Sequence, residues 1–127
     1  MDVAVARAHD GIAEVREAGV AAVDDKIAAI LLMGADAPEA TYRLSNEIFA
    51  EAGAFDLAEV SAAAFSLCCL LSSARGAGSP EAIRVHLNAL RALRRADAPA
   101  GVILAGLSAI VARYADAPEP EPTERRL

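Results

Sequence analysis

The chain has 127 residues with 18 acidic and 12 basic side chains, a formal charge of −6, and a composition that is 55% hydrophobic. That length suits one domain and is short for two, and the acidic balance opposes binding to nucleic acid or to an anionic membrane surface. About a quarter of the residues are alanine, Trp is absent and only three Phe and two Tyr occur, so helix formers dominate and strand formers are scarce.

The N-terminus, Met1-Asp2-Val3-Ala4-Val5-Ala6-Arg7, lacks the basic start and apolar run of a signal peptide. A first helix is expected over roughly 3–33, with Ile12, Val15, Val23, Ile27, Ile30 and Leu31 at helical spacing. Gly11 and Gly19 weaken it, so the part before Gly11 reads as frayed or as a separate short helix, and Gly34 stops it. Asp36-Ala37-Pro38-Glu39 restarts the chain, with Asp36 as cap and Pro38 in the first turn of a helix that carries Tyr42, Leu44, Ile48 and Phe49 and ends at Gly53.

Asp56 and Glu59 resemble a capping box for a third helix, with Phe55 and Val60 placed to form a hydrophobic staple. From Val60 to Leu71 that helix carries no charge on any face. Such a helix is surrounded by others, or it presents a face to a partner subunit. Ser79-Pro80-Glu81 gives cap, N1 proline and acidic first turn for a fourth helix, whose core face is Ile83, Leu87 and Leu90, with His86 and Leu93 as further candidates. Asp97-Ala98-Pro99 opens a fifth, with Val102, Ile103, Leu107, Ile110, Val111 and Tyr114. The expected fold class is all-α: a compact four- or five-helix bundle over 1–115, its third and fifth helices central, followed by a disordered Pro/Glu-rich C-terminal tail over 116–127.

The outer face of the fourth helix is the most informative feature. Arg84, Asn88, Arg91 and Arg95 fall at i, i+4, i+7 and i+11, with Arg94 beside them. One reading is a solvated face whose late arginines complement the helix dipole. The other is a binding face for a protein partner with an acidic or phosphorylated surface, since guanidinium forks match carboxylate and phosphate. His86 lies between that stripe and the core face, either as a half-buried structural histidine or as a phosphoacceptor.

Catalytic residues, cofactors and a bound metal are not expected. Cys68 and Cys69 are adjacent on a helix, where they cannot pair with each other, and they read as buried thiols in a reducing cytoplasm. The two Cys and two His give no metal-ligand spacing. Gly76-Ala77-Gly78-Ser79 is a poor match to a phosphate loop.

The runs Tyr42-Arg43-Leu44-Ser45-Asn46-Glu47-Ile48-Phe49, Ala63-Ala64-Phe65-Ser66-Leu67-Cys68 and Val85-His86-Leu87-Asn88-Ala89-Leu90-Arg91 resemble small all-helical accessory proteins of alphaproteobacterial chemotaxis, called CheE-like. The likeness covers roughly 40–113, implies a cytoplasmic bacterial signalling accessory and not a catalyst, and supplies no site residue. Three functions are therefore carried forward: a non-enzymatic interaction or regulatory adaptor, a histidine phosphotransfer protein using His86, and a structural homodimer. The second lacks its usual motif, since Asn88 and Ala89 stand where Lys and Gly are expected.

Overall fold

The computed structural model describes residues 3–96 and 98–115; Asp97 and the segment 116–127, expected to be a tail, lie outside the described residues. The chain is all-α, a helical bundle with no strand among the described residues. Its helices are α1 (Val3–Met33), α2 (Pro38–Ala54), α3 (Ala58–Leu71), α4 (Ala74–Ala77), α5 (Pro80–Arg95) and α6 (Ala100–Tyr114), with a 3-10 turn at Gly34–Asp36.

α3 is the hub. It packs against α2, α5 and α6, while α1 lies across α2 and α5. Val60, Ala63, Ala64, Leu67, Cys68, Leu70 and Leu71 of α3 are buried, facing Ile48 and Ala52 of α2 and Ile83, Leu87 and Leu90 of α5 in one core. The expectation that the fifth helix shares the centre is not met. α6 is marginal, and Leu107 is the one buried residue of its 15. An apolar sequence qualifies a helix for burial, but α2 and α5 already cover most of α3.

α1 runs unbroken through Gly11 and Gly19, and it joins the core through Val23, Ile27 and Ile30, one face at i, i+4 and i+7. Gly19 is where the loop after α2 docks: a methyl group there would overlap the Phe55 ring. Phe55, expected to form a staple with Val60, lays its ring against α1 at Gly19. Asp56 does not cap α3 either. It adopts φ +62, and its carboxylate accepts from Arg16 at 2.8 Å, leaving Leu57 at the cap position without a side-chain bond. Asp36 likewise does not cap α2, whose N-cap is Ala37; Thr41 instead donates to the Gly34 carbonyl at 3.1 Å. On the other side Lys26 reaches from α1 to Glu51 and, at 3.1 Å, to Glu47 of α2.

Two glycines in helices should respond oppositely to alanine. At Gly106 nothing lies within 4 Å of an added Cβ, so Gly106→Ala should stabilise by up to about 1 kcal/mol. At Gly19 the displaced Phe55 ring should cost about 1–3 kcal/mol, outweighing the propensity gain. Thermal unfolding should show a higher midpoint for the first variant and a lower one for the second; equal shifts would refute the Gly19–Phe55 socket.

Candidate functional site

α5 begins where its sequence says it should. Ser79 Oγ accepts from the Ala82 amide at 3.3 Å, Pro80 opens the first turn, and Glu81 sits at the positive end of the helix dipole. The helix closes at Ala96, which adopts φ +59. Its inner face buries Ala82, Ile83, His86, Leu87, Ala89, Leu90 and Leu93. Its outer face exposes Arg84, Asn88, Arg91 and Arg95, so the spacing read from sequence becomes one continuous strip.

Arg94 departs from that strip. Its guanidinium donates through Nε at 2.6 Å and through Nη2 at 3.1 Å to the two carboxylate oxygens of Asp24. This fork ties α5 to α1 across 70 positions of sequence, and Arg94 is a structural clamp. Arg91 instead donates to Asn88 Oδ1 at 3.3 Å, which orients its guanidinium along the outer face. No salt bridge is formed by Arg84, Arg91 or Arg95 among the described residues. Arg84 also borders a cavity of about 310 Å³ between α1 and α5, lined by Leu32, Gly34, Asp36 and Pro80 among others.

His86 is fully buried. Its Nδ1 lies 3.0 Å from the Ala82 carbonyl, which only accepts, so Nδ1 carries the proton. Nε2 then accepts from Ser66 Oγ at 2.9 Å. A phosphoacceptor imidazole must offer a free nitrogen to its donor, and both nitrogens of His86 are taken in this structure. Burial also pushes its pKa below the ordinary 6.5, against the opposing effect of the Ala82 bond, so the ring is neutral at pH 7.

Ser66 is the polar partner that sequence reasoning missed. It borders an apolar groove of about 250 Å³ between α3 and α6, with Ala62, Phe65, Cys69, Leu104, Ser108 and Val111. A serine hydrogen-bonded to a neutral histidine is the first element of a nucleophilic pair. Acyl transfer further needs donors aimed at an oxyanion, whereas the amides around Ser66 lie inside the 14-residue helix α3 and are used by the helix itself. The pair therefore satisfies two polar groups in an apolar setting. Its signal in the sequence was one serine and one histidine, each on an apolar face of a different helix.

Of the two thiols expected to be buried, Cys68 is, whereas Cys69 is only partly covered because it borders the groove between α3 and α6; burial pushes the Cys68 thiol up to about 11, with the neighbouring Cys69 adding to the shift, so it is protonated at neutral pH. Among the described residues no group of three or more His, Cys, Asp or Glu side chains is placed to hold a metal ion, and no helix is long and apolar enough to cross a membrane. No family model matches the chain, and no curated protein or solved structure matches it.

The buried imidazole makes stability depend on pH with a definite sign. In the unfolded chain His86 titrates near 6.5, and in the folded protein lower. Below about pH 6.5 the unfolded state therefore binds more protons, and stability falls as pH falls, by at most about 1.4 kcal/mol per pH unit. Denaturant unfolding at pH 7, 6 and 5 should show this decline, and His86→Gln should flatten it; an unchanged slope in the variant would place its origin elsewhere.

Proposed function

We propose that the protein is a non-enzymatic interaction adaptor that binds an acidic or phosphorylated surface of another protein through Arg84, Arg91 and Arg95. The observation that carries this reading is the line of three exposed guanidinium groups on α5, without a salt bridge among the described residues, in a chain of net charge −6. Three cations aligned within a few helical turns create a local positive field that the overall charge does not cancel at contact distance. Guanidinium groups are also weakly hydrated and planar, which suits paired hydrogen bonds to carboxylate or phosphoryl oxygens. The resemblance to chemotaxis accessory proteins makes a phosphorylated signalling protein the first partner class to test.

Arg84→Glu combined with Arg91→Glu should abolish capture of the partner at low salt, while Arg94→Gln should leave capture intact and lower stability by up to about 1 kcal/mol, the scale for a partly exposed ion pair. Pull-down with each variant beside thermal unfolding separates the two roles, and capture that survives the double reversal would discard the reading.

A second reading is supported by the groove between α3 and α6. Phe65, which lines that groove, is 51% exposed and Phe49 39% exposed, and their rings pack at a 40° tilt with centroids 5.2 Å apart. An aromatic pair left at a surface favours a contact with a second copy of the chain. Light scattering should then give a dimer mass that Phe65→Asp reduces to the monomer value; a monomer mass for the unaltered protein at high dilution counts against it.

A further inference from the structure

The cavity of about 310 Å³ that Arg84 borders lies where the end of α1, the 3-10 turn at Gly34–Asp36 and the first turns of α5 meet. That 3-10 turn packs against α5, and Gly34, at φ +53, lets the chain change direction there. Leu31, Met33 and the buried Leu87 supply apolar wall. Leu32, 89% exposed, belongs to the same lining and has no apolar cover of its own.

Two residues of opposite charge line this cavity, Asp36 from the 3-10 turn and Arg84 from α5. Among the described residues neither enters a salt bridge, with the other or with any further side chain. The helix ends have the same polarity. α1 brings the negative end of its dipole to the side of Asp36, and α5 opens with its positive end on the side of Arg84. Glu81, the acidic residue in the first turn of α5, is not part of the lining. An anion alone would meet Arg84 and be opposed by Asp36, and a cation alone would meet the reverse. A short molecule carrying both a carboxylate and an ammonium group satisfies the two together. The volume sits at the lower end of small-molecule sites, about 300–1,000 Å³, which suits a ligand of that size better than a nucleotide.

We propose that this cavity binds a free α-amino acid with an apolar side chain, its carboxylate on Arg84, its ammonium on Asp36 and its side chain against Leu31, Met33 and Leu87. The inference goes beyond the adaptor reading and does not depend on it. Arg84 belongs to both sites, whereas Arg91 and Arg95 take no part in the lining. The apolar contact supplies affinity in proportion to the area it covers. The two charges fix orientation, and they select against molecules that carry only one of them.

The test uses the full chain with L-leucine as the probe, followed by NMR through the methyl resonances of Leu31 and Leu87. Saturable shifts should give a Kd of about 1 mM or below. 4-Methylpentanoate lacks the ammonium, 3-methylbutylamine lacks the carboxylate and glycine lacks the side chain. Each should bind about three- to tenfold more weakly than leucine. Asp36→Asn and Arg84→Gln should each weaken leucine binding by a similar factor, and Arg91→Gln should not. Asp36→Asn should also leave 4-methylpentanoate bound at least as tightly as by the native chain, because the opposing carboxylate is gone. Both substituted side chains are exposed and outside any salt bridge among the described residues, so circular dichroism and thermal unfolding should match the native protein. Absence of saturable shifts with leucine at about 20 mM overturns the proposal. So does equal affinity for leucine and its three analogues, or leucine binding that is unchanged in both the Asp36 and the Arg84 variants.

Discussion

α3 is a 14-residue helix whose one charged residue, Glu59, lies in its first turn, and no single neighbour can cover it. One helix shields roughly a third of another's circumference, so an uncharged cylinder about 21 Å long needs company on several sides. α2 supplies one side, α5 a second and α6 part of a third. The large side chains of α3 set the energetic scale, since burying Val60, Leu67, Leu70 and Leu71 contributes about 1.5–3 kcal/mol each. The alanines between them contribute little area, but they let α2 and α5 approach closely. α1 contributes by bracing α2 and α5 from outside.

So apolar a centre has to dispose of every polar group that enters it, and most are spent on backbone carbonyls. Ser61 donates to the Phe49 carbonyl at 2.7 Å, tying α3 back to α2. Ser73 is buried, receives the Gly76 amide at 2.9 Å and lies within hydrogen-bond distance of the Tyr114 carbonyl, so one hydroxyl joins α4 to the end of α6. Gly76 must be glycine for this corner to close, because a Cβ would run into the Leu70 carbonyl. His86 and Ser66 satisfy each other between α5 and α3. Among the described residues the exception is Ser45, whose buried hydroxyl has no partner. These bonds fix where the helices meet, whereas the apolar contacts alone would tolerate sliding.

How much of this was legible in the sequence depends on the range of the interaction that decides each feature. The all-α class and the start of α5 were readable, because propensity and the Ser79-Pro80 cap act within one turn. The caps assigned to Asp36 and Asp56 were not, because contacts from elsewhere intervene: Thr41 serves the Gly34 carbonyl, and Arg16, 40 residues away, claims Asp56. Gly19 looked like a weak point in α1, yet it is a socket for Phe55, and nothing near Gly19 in sequence encodes that. The centrality of α6 was misjudged because hydropathy measures what a helix would gain from burial and not the surface available to receive it. On the candidate site, the periodicity of α5 located the exposed strip correctly. It could not separate Arg94 from its neighbours, since the distinction lies in Asp24.

That distinction is what makes the outer face of α5 chemically different from the rest of the surface. Arg16, Lys26 and Arg94 all pair with carboxylates between elements, and each pair involves α1. α1 thus consumes cations in holding the bundle together. Arg43, Arg75 and Arg113 form no salt bridge among the described residues either, but they stand singly on α2, α4 and α6. Among the described residues only α5 carries three such groups on one face, and a field strong enough to select a ligand needs that addition of neighbouring charges. The inner face of α5 is fixed by the demands of α3, which leaves Arg84, Arg91 and Arg95 on the outward face, while Arg94 turns to Asp24 of α1. The constraint that builds the core therefore also builds the basic strip, and an acidic or phosphorylated partner would meet a surface held rigid by the hydrophobic contacts beneath it.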